Sequence, residues 1–348
     1  MKINKKYWSP YPLLPYQRCF NFVNSVRGIG KTYGMQLFLL DRFFERGEEA
    51  VYFCRTKIEK RNGFLEKAFK KVMWKEKRFA EKSKDFKWSV DKLEYKGKTV
   101  CHCIALSEAI KIKNQSFPFV KWGLLDEYML EERHERDYVH GWGEPDLLLN
   151  LYQTIDRDED RLVVFLMGNN TNFYNPYHMH KAFRIPKIEP GKIWLSENVL
   201  FQNYSPTAEL QEEKQTTKFS RMVRNTDYGS YAIDGTYQDD NEEFLAPMTG
   251  KARHICNYIY NGKTYGFYLD TPAGKAFITP KLEDTELTFA LTNEDHKENT
   301  VLTRCLRGTS RHDIGFIKQL SRLYKFSNLY FTDRLTKAEF MPALQMIA

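Results

Sequence analysis

Two kinds of apolar spacing organise the first 200 residues. Short, nearly continuous runs rich in β-branched and aromatic residues recur at 19–23, 50–54, 99–105, 119–125 and 162–167. Between them, apolar positions return every three or four residues at 32–46, 62–83 and 144–155. Continuous runs predict strands covered on both faces, and the longer period predicts helices with one wet face. Strands alternating with helices predict an α/β class, a mostly parallel sheet with helices on its faces. The pattern frays near 185–205, where Pro186, Pro190 and Gly191 fall, with Pro206 just beyond.

Residues 207–250 are polar, helical at first and turn-rich around 227–235. The last third changes character. Ile255-Cys-Asn-Tyr-Ile-Tyr260 and Tyr265-Gly-Phe-Tyr-Leu-Asp270 flank Asn261-Gly262, a hairpin signal, with the connection expected over 261–264. Thr271-Pro-Ala-Gly274 then turns into Ala276-Phe-Ile-Thr279, which makes a three-strand meander. A strand at 287–292 and helices at 313–329 and 334–346 complete a smaller α+β domain. The expected divisions are 1–206, 207–250 as a linker or small helical subdomain, and 251–348.

Composition narrows the class. No apolar run among the 348 residues approaches the ~20 needed to span a membrane, and the start Met-Lys-Ile-Asn-Lys-Lys-Tyr-Trp reads as too polar for a signal peptide, so none is expected. Six scattered cysteines include one close pair, Cys101-His-Cys103, with no second cluster to complete a zinc site. Reduced thiols in a cytoplasmic setting and no structural metal are expected. His178 and His180 have no partners at ligand spacing and are read as structural. The net charge is +8, and 55–87 alone holds 13 Lys/Arg against 5 Asp/Glu. Leu65, Phe69, Val72 and Met73 share one helical face there, which leaves the basic face free for phosphates. Nucleic-acid contact is expected from this segment or its leading loop, with Arg55, Lys57, Lys60 and Arg61 as candidates. Lys111 and Lys113 offer another track.

The candidate chemistry begins at 25–32, Ser-Val-Arg-Gly-Ile-Gly-Lys-Thr. A predicted strand precedes it and an amphipathic helix follows, the context a phosphate-binding P-loop requires. Ser25 stands where the usual pattern opens with Gly. Backbone N–H groups along Ser25, Arg27, Gly28, Ile29, Gly30, Lys31 and Thr32 would cradle the phosphates of ATP. Lys31 would reach the β- and γ-phosphates, and the Thr32 hydroxyl would hold Mg²⁺. A partner strand ends at Asp126-Glu127. Asp126 would bind the Mg²⁺ shell and Glu127 would polarise the attacking water. The next strand ends at Gly168-Asn169-Asn170, with Asn169 the candidate γ-phosphate sensor. Two polar stretches, 131–137 and 156–161, lie between these strands. Arg157, at a predicted helix end, is a candidate for donation across a subunit interface, and Arg161 is its rival.

Together these residues resemble the DNA-packaging ATPases of phi-29-like small tailed phages. Asn21-Phe-Val-Asn-Ser-Val-Arg-Gly-Ile-Gly-Lys-Thr32 is similar to that family's P-loop, which keeps Arg-Gly-Ile-Gly-Lys and lacks the first Gly. Leu148-Leu-Asn-Leu-Tyr-Gln-Thr154 followed by Arg157 resembles its arginine-bearing helix. Asn175-Pro-Tyr177 and Tyr260-Asn-Gly-Lys-Thr-Tyr-Gly266 are also similar. The resemblance implies an additional-strand (ASCE-type) P-loop NTPase followed by an RNase H-like domain without nuclease activity. Asp270, Glu283 and Asp284 are available there, but three carboxylates on facing strands cannot be assembled. It also implies a homopentameric ring that drives double-stranded DNA through the portal of a procapsid, in the host cytoplasm and transiently at the capsid. Arg157 would act in trans, and Lys57 matches a basic position facing the DNA. Use of a packaging RNA stays undecided. A RecA-like helicase or remodelling ATPase is the main alternative; a nucleic-acid-binding protein with no catalytic activity is another.

Overall fold

A computed structural model describes residues 6–131, 137–226, 229, 237, 244–285, 287–302 and 311–347. The chain forms two compact units, Met1–Asp240 and Asn241–Ala348.

The first unit is built on nine strands: β1 (Phe20–Ser25), β2 (Glu49–Cys54), β3 (Phe86–Trp88), β4 (Lys92–Tyr95), β5 (Lys98–Ala105), β6 (Val120–Asp126), β7 (Val163–Asn169), β8 (Lys192–Leu195) and β9 (Val199–Asn203). Their spatial order is β3-β4-β5-β2-β6-β7-β1-β9-β8. The six strands from β5 to β9 run parallel, and β3, β4 and β8 pair antiparallel at the two edges. The five predicted strands are all in the parallel block. The edge strands escaped prediction because they are short and carry polar residues such as Lys87, Glu94 and Lys192, with no continuous apolar run.

Helices cover both faces. α1 (Lys31–Arg46) buries Met35, Phe38, Leu39 and Phe43 on one face, and α5 (Glu144–Asp156) buries Leu148, Leu151 and Ile155 on the other. Phe38 is fully buried, so Phe38→Ala would cost about 3–5 kcal/mol. Cys101 and Cys103 point into the first core, and His102 turns outward to Glu49 at 2.9 Å.

The predicted helix over 62–83 is two pieces, α3 (Phe64–Lys75) and α4 (Lys77–Ala80), and a further short helix, α2 (Lys57–Arg61), precedes them. Thr56 and Glu59 form a capping box that starts α2 inside the expected loop. Gly63, at φ 74°, separates α2 from α3, and Glu76 is extended between α3 and α4. Further on, α6 (Pro176–Met179) follows β7. α7 (Ala208–Thr216) and α8 (Lys218–Val223) belong to this unit, with Leu210 in its core. Most of the predicted turn at 227–235 lies outside the described residues.

The second unit contains β10 (Arg253–Tyr260), β11 (Lys263–Asp270), β12 (Lys275–Thr279), β13 (Thr288–Ala290), β14 (Val301–Leu302) and β15 (Leu329–Phe331), in the order β14-β13-β10-β11-β12-β15. An antiparallel meander is flanked by parallel strands, the layout expected of an RNase H-like sheet. The β10–β11 connection is tighter than expected. Tyr260 pairs with Lys263, so Asn261 (φ 50°) and Gly262 (φ 74°) alone make the turn. α9 (Arg311–Lys325) ends earlier than its apolar period suggests, because Ser327 turns left-handed at φ 56°. Residues 329–331 then pair with β12 as β15, and α10 (Arg334–Ile347) packs over the sheet.

Candidate nucleotide site

β1 ends at Ser25 and α1 starts at Lys31, so residues 26–30 make the whole turn. Gly28 and Gly30 sit at φ 77° and 85°, where a side chain would be strained. Val26 and Ile29 anchor the loop in the core. This leaves the backbone N–H groups at the start of α1 facing an anion position. Lys31 folds over the loop: its Nζ donates to Ser25 Oγ at 2.7 Å, Val26 O at 3.3 Å and Asn169 Oδ1 at 3.2 Å. Ser25 thus gives the ammonium a hydroxyl where Gly would give nothing. Asn169 arrives because β7 lies beside β1 with Ser25 opposite Asn169. Burial pushes the Lys31 ammonium down to about 7, with the nearby Asp126 carboxylate opposing the shift.

β7 separates β1 from β6, the additional-strand arrangement. Asp126 ends β6 and accepts from Thr32 Oγ1 at 2.8 Å and from Tyr52 OH at 3.3 Å, both on Oδ2. Burial pushes its carboxyl up, and the Thr32 hydroxyl opposes this. A hydroxyl and a carboxylate side by side are the hard-oxygen pair that suits Mg²⁺, which keeps most of its waters and needs few protein ligands.

Glu127 follows in a left-handed conformation, φ 54°, rare for a residue with a side chain and frequent at functional sites. Its side chain is exposed while both neighbours are pinned. Glu127 N donates to Asp126 Oδ1 at 3.1 Å, and Tyr128 N donates to Met167 O at 3.1 Å. The Tyr128 hydroxyl lies 2.6 Å from Asn24 Oδ1 and 2.7 Å from His178 Nε2. His178 is fully buried, and burial pushes it down to about 3, so it is neutral. The Tyr128 ring packs over Gly168, where an added Cβ would stand 2.8 Å from the ring. His180, its neighbour, meets Asp146 at 3.2 Å near the surface.

The candidate cations separate sharply. Arg55 is a correction. It is only 8% exposed, donates to Glu144 at 3.2 Å and to Tyr128 O at 3.0 Å, and stacks over Tyr138. A buried, paired guanidinium cannot grip a passing strand; it holds the peptide just after Glu127. Lys60 is bound to Asp91 at 2.6 Å and Glu108 at 3.0 Å, and Lys57 is half-exposed, 3.5 Å from Glu108. Arg61 is exposed. The open basic face lies further along, where Lys67, Lys70, Lys71 and Lys75 project from α3 beside exposed Trp74. Arg27 pairs with Glu131 at 2.9 Å.

Arg157 caps the end of α5 at φ 53°, exposed, and donates to Gln115 O at 3.0 Å. It lies at the edge where β6 and β7 begin. Its own P-loop is at the other end of strands of seven residues, roughly 20 Å away. Arg161 donates to the carbonyls of Val120 and Ile155 (2.5 Å to the latter) and is occupied inside the fold. Between the two, Arg157 is the arginine with an open surface. The 132–136 part of the nearby polar stretch lies outside the described residues.

Sequence reasoning missed three contributors. Tyr52 reaches Asp126 from β2, and the Tyr128–His178–Asn24 cluster braces Glu127. Lys214 Nζ, from α7, donates to the carbonyl of Arg27 in the loop. Lys214 is 186 residues beyond Gly28 in a polar stretch, so only tertiary folding could reveal it. In the second unit Asp270 accepts from Thr249 and from Ala273 N, and Glu283 accepts from Tyr268 OH at 3.1 Å. No cluster of three or more His, Cys, Asp or Glu that could hold a metal occurs among the described residues.

The chain was compared with known proteins. The family model for the podovirus DNA encapsidation protein (Gp16) matches residues 3–337. The DNA packaging protein of Bacillus phage phi29 is 26% identical over 297 residues, 85% of this chain and 86% of that protein. The bacteriophage phi-29 genome packaging motor assembly contains a chain with TM-score 0.66 and 23% identity, covering 99% of this chain and 100% of that one. The phi-28 gp11 DNA packaging motor gives TM-score 0.59 and 18% identity over 98% of this chain and 99% of that one. These two structures share the fold. The chain belongs to the podovirus DNA encapsidation protein family, and a DNA-packaging role follows from that membership.

Proposed function

We propose that this encapsidation-family protein is an ATP-hydrolysing motor that drives double-stranded viral DNA into a preformed capsid. The observation that carries the reading is the convergence of Lys31, Thr32, Asp126, Glu127 and Asn169 at the ends of β1, β6 and β7. Lys31 would exchange Ser25 and Asn169 for phosphate oxygens. Thr32 and Asp126 would hold Mg²⁺, which when bound shields charge on the transferring phosphate. Glu127 is the general base, an exposed carboxylate on a braced backbone. Asn169, already on Lys31, would sense whether the γ-phosphate is present.

Arg157 serves a neighbouring subunit's site, since the sheet itself separates it from its own. That requires a homo-oligomeric ring, which we take to be a pentamer seated on the portal of a procapsid. DNA would follow the basic face of Lys57, Arg61 and the α3 lysines, held through backbone phosphates and steeply weakened by salt. No helix among the described residues is long and apolar enough to cross a membrane.

Lys31→Ala tests the reading. The variant should keep its circular dichroism spectrum and lose DNA-stimulated ATP hydrolysis. Near-normal hydrolysis would exclude this P-loop as the catalytic site. Hydrolysis by the unmodified protein, with and without DNA, separates a motor from a passive nucleic-acid binder.

A further inference from the structure

We infer that the sheet edge opposite the nucleotide carries a second anion site, built to take a phosphate-bearing ligand. A cavity of about 630 Å³ opens there, walled by the chain before β1, by α1 and by the starts of β6 and β7. Arg18, Arg42, Arg46 and Lys121 line it beside one carboxylate, Asp160, and Arg161, which also lines it, is taken up by main-chain carbonyls. Ligands of open α/β sheets ordinarily sit at the carboxyl ends of the strands. This cavity is at the amino ends, roughly 20 Å from the P-loop by the length of six-residue β1.

Arg42 is the residue that needs explaining. It is 8% exposed, yet its Nε is buried with no hydrogen-bond partner, and it forms no ion pair among the described residues. Its guanidinium lies 5.6, 4.9 and 5.5 Å from the ring centres of Tyr11, Phe38 and Trp122. Arg18 Nε is also buried without a partner. A buried donor without an acceptor is costly, and ring contacts offset only part of that. What the rings do supply is rigidity: they hold a planar fork ready for phosphate oxygens. Arg46 is exposed at the rim, and Lys121, 3.3 Å from Glu48, is half-exposed beside it. The volume is that of an ordinary small-molecule site, large enough for a pyrophosphate or a nucleotide backbone unit.

The test uses the full chain with the P-loop silenced by Lys31→Ala and Thr32→Ala. Inorganic pyrophosphate is titrated by calorimetry. Binding is expected, and adding Arg46→Gln with Lys121→Gln should weaken it about tenfold or more. Arg42→Gln should do the same; should that variant fail to fold, the rim pair carries the test. Lys181→Gln with Lys192→Gln, two exposed lysines outside the cavity lining and the DNA track, should leave binding unchanged. Competition by a short single-stranded DNA would assign the site to nucleic-acid backbone, and competition by ATP alone to free phosphates. No pyrophosphate binding to the silenced protein overturns the proposal. So does binding indifferent to the rim pair, or weakened equally by the Lys181–Lys192 pair.

Discussion

Both units place carboxylates at strand ends, but in different surroundings. In the first, parallel strands β1, β7 and β6 finish side by side, so Lys31, Asn169 and Asp126 meet although they are far apart in sequence. In the second, Asp295, Asp270 and Glu283 already accept structural hydrogen bonds. Asp295 accepts from Asn261 N at 2.9 Å, Gly262 N at 2.6 Å and Thr292 Oγ1 at 2.6 Å, and so clamps the hairpin turn. Asp270 holds the turn that starts at Thr271 and accepts from Thr249, whose hydroxyl keeps its carboxyl below the usual range. A carboxylate count therefore says little. What matters is whether the topology converges them and whether turns have already claimed their oxygens.

The contrast can be broken most directly at Glu127. Glu127→Gln should still bind Mg·ATP and lose about 10²–10⁴ in turnover, because binding uses Lys31, Thr32 and Asp126. Full turnover would remove the general base. ATP binding as poor as that of Lys31→Ala would mean the Asp126–Glu127 roles are misassigned. Arg157→Ala should lose about 10³-fold when assayed alone. Mixed with Glu127→Gln it should recover part of that, since a mixed ring contains sites with both groups intact. No recovery at any ratio, in a ring shown to assemble, would argue against donation in trans.

The second unit sharpens the comparison with smaller effects. Asp295→Ala strips the acceptor from two turn N–H groups and should cost about 1–3 kcal/mol by denaturant unfolding. ATP turnover per folded molecule should not change. Asp270→Asn should alter no DNA-cutting activity, because none is expected. Plasmid nicking in Mn²⁺ that vanishes in this variant would make the second unit a live nuclease.

The smallest effect is a proton. With Lys31 near 7 in the free protein, its amine is mostly neutral at pH 8.5, and a bound phosphate would favour the ammonium. ATP binding at that pH should take up about one proton, seen by calorimetry in buffers of different ionisation enthalpy. The uptake should shrink below pH 7, where Lys31 is already charged, and disappear in Lys31→Met. The same shift makes the free protein gain stability as pH rises from about 7 towards 10.5, because there the unfolded chain holds a proton the folded one lacks.

Much was legible in the order of residues. Five of the six parallel strands, the P-loop, Asp126-Glu127 and the three-strand meander all rest on local signals: apolar runs, glycines in a required turn, β-rich segments around Asn-Gly; the sixth, β9, lies in the stretch where the pattern frays. Such signals act over a few residues, so they survive without knowledge of the fold. The edge strands pair with near neighbours in sequence but are too short and polar to signal themselves, and Tyr52, His178 and Lys214 have no local signal because each is defined by a partner distant in the chain. Charge was the most misleading property. Arg55 and Lys60 look like surface cations in sequence, yet Arg55 is buried on Glu144 and Lys60 is bound between Asp91 and Glu108. Arg42, unremarked in its amphipathic helix, keeps a buried Nε with no acceptor among the described residues. Sequence determines how many charges a segment holds. Only tertiary structure decides which are solvated, which are paired and which are buried unpaired, because desolvation depends on what packs around each group.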